Sequence, residues 1–176
     1  YATICSQQIQ TITLVWMGQA MAITRYDTGC LFMINVVLVG NHVETENQQL
    51  SKHRDMTVAV IAPTTLEDTV AQAEPFQADI FVLKHAEEDI DAAMLCHFLS
   101  KSYPDAQSLF VIDEIPTFEM LQNTGFKARG YITKKQQGKL VDAVRVVHDG
   151  EAWLPRTLVA EMLNRFSSSS YESNLL

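Results

Sequence analysis

Clustered basic charge, paired cysteines and long apolar runs are all missing from this sequence, and each absence removes a class of function. Lys and Arg number 13 against 21 Asp and Glu, for a net charge of −8. The basic residues are scattered, so this stretch of chain is not itself a nucleic-acid-binding surface. The 3 cysteines, Cys5, Cys30 and Cys96, are odd in number, far apart and in no C-x-x-C. That pattern argues against a disulfide framework or a zinc site and for a reducing cytoplasm. No apolar run reaches the roughly 18 residues of a membrane span, and no signal peptide is visible, so no membrane partner is expected. The first residue is Tyr1 rather than methionine, which reads as a piece of a longer or processed protein.

What the chain does have is core. With 47% hydrophobic and 19% charged residues over 176 positions, it falls in the range of one globular domain. Ile34 to Val39 is a continuous apolar run of the kind buried on both faces of a parallel sheet. Four similar runs follow at Thr57 to Ala62, Asp79 to Leu83, Ser108 to Ile112 and Arg129 to Ile132. Helical patterns lie between them near Val43 to His53, Leu66 to Glu74, Glu87 to Lys101 and Pro116 to Asn123, with a fifth at Leu140, Val141, Val144 and Val147. Alternation of this sort implies a doubly wound α/β sheet with right-handed crossovers. Residues 1–32 lack a clean period. Thr11 to Met17 reads as a strand or part of a helix, and Val15, Trp16 and Met17 are apolar enough that we expect them to pack on the domain or on a second subunit.

The most informative stretch runs from Gly125 to Phe166. A short strand ends just before Lys134, a helix stops at Gly150, and Trp153-Leu154-Pro155 opens a further helix with Leu158, Val159, Met162, Leu163 and Phe166 on one face. In Gly125, Gly130, Tyr131, Lys134, Gly150, Glu151, Trp153 and Leu154 this stretch resembles the end of a receiver domain from LuxR/FixJ/CsgD-class bacterial response regulators, in an atypical or pseudo-receiver form. The resemblance covers about Ile34 to Phe166. It implies an α/β, flavodoxin-like (βα)5 doubly wound parallel sheet of order 2-1-3-4-5 with an extra C-terminal helix. It also implies an organisation of an N-terminal extension (1–32), a receiver-like domain (33–150), a linker helix (151–166) and a linker (167–176) toward a helix-turn-helix domain outside this chain. Contact with DNA would then be made through that domain alone. Regulators of this class generally bind DNA as dimers, so a homodimer is the expected partner.

A working receiver of that family holds Mg²⁺ with an acidic pair after strand one and is phosphorylated on an Asp after strand three. It also uses a Ser or Thr after strand four and a Lys after strand five. The hard cation takes oxygen ligands and the Asp is the nucleophile. Here the acidic pair is replaced by Gly40-Asn41, followed by His42, and Lys84 falls on the phospho-acceptor position. Asp79 stands at the wrong end of its strand. The Ser/Thr position is Asp113, with Thr117 as the lesser candidate, and Lys134 remains. An ammonium would repel Mg²⁺ from a site short of carboxylates. The expectation is therefore a degenerate pocket of Gly40, Asn41, Lys84, Asp113 and Lys134, without metal or cofactor. In it Lys84 and Lys134 would make fixed ion pairs with Asp113, with Glu114 as the further candidate.

Trp153-Leu154-Pro155-Arg156 is similar to a motif by which some regulators of this class bind cyclic di-GMP. A tryptophan face can stack on guanine, and an arginine can pair with phosphate. Pro155 lacks the hydroxyl that the motif supplies, and the plainer reading is packing and helix capping. His53 with Asp55, and His85 with Glu87 and Glu88, have the residue types for a metal but stand at element boundaries where polar groups usually meet solvent. His97, between Met94 and Phe98, reads as a half-buried packing residue, His42 as a helix-entry residue, and Tyr131 as an aromatic packed in one state. An enzyme or flavin carrier on the same fold, with Lys84 as an amine nucleophile, is the remaining alternative. The loop Gly40-Asn41-His42-Val43 lacks the phosphate cradle that a flavin version needs.

Overall fold

Side chains at Val36, Val37 and Leu38 are all fully buried although consecutive residues of a strand point to opposite faces, so the strand carrying them must lie inside a sheet covered on both sides. The computed structural model describes residues 10–16, 19–25, 33–84 and 90–173. Its contacts divide the chain into Tyr1–Phe32 and Met33–Leu176. The first unit contains β1 (Gln10–Trp16) and β2 (Gln19–Arg25), paired antiparallel from Gln10↔Arg25 to Trp16↔Gln19. Thr11, Ile12, Thr13 and Val15 are β-branched and favour the extended chain, which decides for strand over helix up to Trp16. Met17 lies outside the described residues.

The second unit runs β3 (Ile34–Val39), α1 (Glu44–Leu50), β4 (Met56–Ile61), α2 (Leu66–Ala73), β5 (Ile80–Lys84), α3 (Ala92–Ser102), β6 (Gln107–Ile112), α4 (Phe118–Asn123), β7 (Ala128–Thr133), α5 (Leu140–His148) and α6 (Arg156–Ser173). Its five strands pair all parallel in the order β4-β3-β5-β6-β7, which is 2-1-3-4-5 counted from β3. The fold is the flavodoxin-like doubly wound sheet that the alternation and the resemblance imply. Val36, Leu38, Ile80 and Val82 turn to one face beneath Leu50 of α1 and Leu140, Val144 and Val147 of α5. Val37, Val39, Phe81 and Leu83 turn to the other, beneath Ala73 of α2, Leu95 and Leu99 of α3 and Leu121 of α4.

Side-chain caps set three helix starts. Thr65, Asp91 and Thr117 accept hydrogen bonds from the backbone N–H of Asp68 (3.1 Å), Ala93 (2.8 Å) and Met120 (3.3 Å). The cap at Asp91 starts α3 at Ala92, later than the expected start near Glu87, while residues 85–89 lie outside the described ones. α1 is likewise shorter than the expected Val43 to His53, because the chain turns after Leu50 and the His53 N–H donates to the Leu50 carbonyl (3.0 Å).

After α5 the chain returns to the sheet. The Trp153 N–H donates to the Arg129 carbonyl (2.9 Å) and the Tyr131 N–H to the Trp153 carbonyl (3.0 Å), a parallel bridge opposite Gly130. Trp153 packs against the α1/α5 side of the core and Leu154 against the other side, the alternation of a strand residue pair. A Cβ on Gly130 would stand 2.6 Å from Leu109 Cδ1 and 2.9 Å from Trp153 Cβ, so glycine is what lets the returning chain come this close. α6 then buries Leu158, rests Met162 on the core and lays Phe166 against Phe126 and Phe118 (centroids 5.6 and 6.5 Å), with the Arg165 guanidinium 4.2 Å over the Phe118 ring.

Candidate functional site

In an open parallel sheet, ligands and chemistry gather where the strands end, beyond Val39, Lys84, Ile112 and Thr133 here. Lys84 is the last residue of β5 and only 26% of its side chain is exposed. Its ammonium donates to the His42 carbonyl in the β3–α1 loop and makes an ion pair with Glu46 at 3.1 Å to Oε1 and 3.3 Å to Oε2. Glu46, on α1, is 1% exposed, and its Oε1 also accepts from Gln137 Nε2 at 2.9 Å. A carboxylate this deeply buried is costly unless paired and hydrogen-bonded, and Lys84 and Gln137 supply both. Together they tie the end of β5, the loop after β3, α1 and the 3₁₀ turn Lys134–Lys139 that precedes α5.

The cluster differs from the one expected in its acid. Lys84 pairs with Glu46, whereas Asp113, Glu114 and Lys134 are exposed and form no ion pair among the described residues. Sequence reasoning missed Glu46 and Gln137. A signal for Glu46 was there: Val43, Glu46 and Leu50, the buried positions of this segment, fall at i, i+3 and i+7, so the glutamate sits in the apolar stripe of its helix.

Gly40 adopts φ +149°, and a Cβ there would lie 2.9 Å from Lys84 Cβ and 3.3 Å from the Lys84 carbonyl oxygen. Gly40 after β3 and Lys84 at the end of β5 are thus steric partners. His42, at φ 56°, turns its carbonyl to Lys84, and Asn41 beside it is exposed. These residues do not fit Mg²⁺. The strand-end position holds an ammonium that already takes up Glu46, the only buried carboxylate among the described residues, and a second cation would meet that positive charge. Among the described residues no three His, Cys, Asp or Glu side chains converge for a metal.

The remaining candidates disperse. Asp79 lies before β5, at the opposite end of the sheet, where its Oδ2 accepts from the Asn35 N–H (2.8 Å). Thr117 caps α4. His97 is exposed on α3, which corrects the half-buried reading, and His85, Glu87 and Glu88 lie outside the described residues. His53 and Asp55 face Arg145 of α5. Arg145 donates to both Asp55 oxygens (2.9 and 3.1 Å), and its Nη2 is 3.3 Å from His53 Nδ1, so a guanidinium stands where a metal would. That hydrogen bonding holds the Asp55 carboxyl below its ordinary range. Tyr131 is buried against Phe110 (centroids 5.4 Å). Trp153 and Arg156 border one open cleft of about 500 Å³, together with Gln136, Lys139 and Pro155.

No family model matches the chain, and no curated protein matches it. Among solved structures it is similar to the isolated receiver domain of RcsB from Salmonella enterica serovar Typhimurium, at 13% identity over 74% of this chain and 98% of that one, with a TM-score of 0.62. A LuxR-family two-component response regulator from Aurantimonas sp. SI85-9A1 matches at 16% identity over 77% of this chain and 99% of that one, with a TM-score of 0.60. Against a longer RcsB structure from Salmonella typhimurium, the match is 12% identical, has a TM-score of 0.58, and covers 73% of this chain but only 66% of that one. No helix among the described residues is long and apolar enough to cross a membrane. The five-stranded order and these likenesses agree: the chain has the receiver-domain fold of response regulators.

Proposed function

We propose that this is a non-catalytic, regulatory receiver-like domain of a LuxR-class transcriptional regulator. It works without phosphorylation and acts through dimerisation on a DNA-binding domain outside this chain. The carrying observation is the Lys84 clamp, which sets an ammonium and its buried counter-ion Glu46 where phosphoryl transfer needs a carboxylate and a metal. Exposed Val159, Leu163 and Phe166 on α6 supply an apolar stripe for the two-fold contact. The test is incubation with acetyl phosphate and Mg²⁺ followed by intact-mass spectrometry. No phosphoryl adduct is expected, and an acid-labile adduct mapped to any strand-end aspartate would overturn the reading.

A second reading makes cyclic di-GMP the input. The cleft shared by Trp153, Arg156, Lys139 and Gln136 favours it, since an indole face and two cations border one space. Calorimetric titration should then give saturable heat that Arg156→Ala removes. No heat at tens of micromolar ligand, or equal affinity in both proteins, would eliminate it.

A further inference from the structure

The open cleft of about 500 Å³ beside Trp153 gathers positive charge that the sequence as a whole keeps thin. Lys139 and Arg156 stand in its wall, and no Asp or Glu does. Lys134 and Lys135 lie on the same 3₁₀ turn as Lys139. All four residues are exposed, and none of them forms an ion pair among the described residues. From Met120 to Val141 the chain holds no Asp or Glu, although the whole carries −8. The first turn of α6, which begins at Arg156, is free of acids as well, so the positive end of that helix adds to the same wall. Cations left without counter-ions beside one opening repel one another, and a bound polyanion removes that repulsion.

We propose that this cleft binds a purine nucleoside triphosphate, with its phosphate chain against Lys139 and Arg156 and its base against Trp153 and Gln136. Charge, size and lining each narrow the class. Lys134, Lys135, Lys139 and Arg156 suit a triphosphate chain, about −4 at neutral pH, better than a cyclic dinucleotide at about −2. A volume of about 500 Å³ lies in the range of small-molecule sites. Trp153 is half-buried and borders the cleft, so its ring offers a surface on which a base can stack. The Gln136 amide offers both a donor and an acceptor to a base edge. The proposal rests on the cyclic di-GMP reading only for the presence of a ligand in this cleft, and it is independent of the Lys84 clamp.

ATP is the probe, titrated calorimetrically into the 176-residue chain in magnesium-free buffer, with AMP, tripolyphosphate and cyclic di-GMP as comparisons. ATP is expected to bind saturably, about tenfold more tightly than AMP because of its charge and about tenfold more tightly than tripolyphosphate because of its base. Its affinity should fall as salt rises. Lys139→Ala and Arg156→Ala, at exposed positions, should each weaken ATP about three- to tenfold with the fold intact by circular dichroism. Lys101→Ala on α3 should leave ATP binding unchanged. No saturable ATP binding at millimolar concentration overturns the proposal, as does ATP that binds no more tightly than AMP or tripolyphosphate. A folded Lys139→Ala/Arg156→Ala double variant that binds ATP like the unaltered protein also overturns it, as does an equal loss in Lys101→Ala. Cyclic di-GMP binding more tightly than ATP overturns it and leaves the second reading standing, whereas ATP binding without cyclic di-GMP does the reverse.

Discussion

At the scale of single residues, the proposed independence from phosphorylation rests on Lys84 and Gly40, which the structure sets against each other. Replacing Gly40 with aspartate would put an acid back after β3. It would also force a side chain into φ +149° with its Cβ 2.9 Å from Lys84 Cβ. Gly40→Asp should therefore cost on the order of 2 kcal/mol in urea unfolding, without creating Mg²⁺ binding by calorimetry. Lys84→Met leaves Glu46 buried without its cation and should cost about 3 kcal/mol, most of it recovered when Glu46→Leu is added. A double variant no more stable than Lys84→Met alone would show that the pair is not what holds α1 to the strand end. The lysine was legible in the sequence because the end of an apolar strand fixes its place. The burial of Glu46 was legible in the stripe of its helix, but its pairing with Lys84 was not, because the two stand 38 residues apart and only the fold brings them together.

At the scale of elements, the runs from Ile34 to Ile132 announced five strands because both-face burial leaves continuous apolar stretches that few other structures need. Helix bounds were less legible. Asp91 capping decides where α3 begins, and a cap is a local hydrogen bond that hydrophobic spacing does not encode. The docking of α6 on α4 through Phe118, Phe126 and Phe166 was also out of reach, since three aromatics spread over 49 positions share no pattern along the chain. α6 keeps Leu163 at 66% exposed, with Val159 and Phe166 on the same stripe. If that stripe is the dimer contact, Leu163→Glu should give a monomer by light scattering while changing stability by no more than about 0.5 kcal/mol. A Leu163→Glu protein that remains a dimer would move the interface elsewhere.

For the whole molecule, Asp55 and Tyr131 are two of the groups through which pH acts. Asp55 is held below its ordinary 3.8, chiefly by its hydrogen bonds from Arg145. A carboxyl whose folded value is depressed contributes stability above its unfolded value and loses it as pH falls through the folded one. The stability gap between the native protein and Arg145→Ala should hold constant from neutral pH to about pH 5 and close below 3.8, as read by urea titration across that range. Tyr131 works in the other direction. Raised from 10.0 to about 12, it favours the folded state below pH 10 and loses that contribution as pH climbs toward 12, a loss that Tyr131→Phe should remove from the alkaline limb.

The bridge from Trp153 to β7 has a consequence for how the protein can be divided. An outermost strand offers unpaired N–H and C=O groups to any other strand that meets it, and β7 is outermost. The Trp153 backbone takes up the Tyr131 N–H and the Arg129 carbonyl, so that rim is sealed from within, while β4, with Val60 47% exposed, forms the opposite rim. A chain cut at Gly150, where the last crossover helix ends, would strip the seal and bare an adhesive strand. A chain cut after Phe166 would keep it. The shorter piece should therefore aggregate through β7, whereas the longer one should go no further than the dimer proposed through α6.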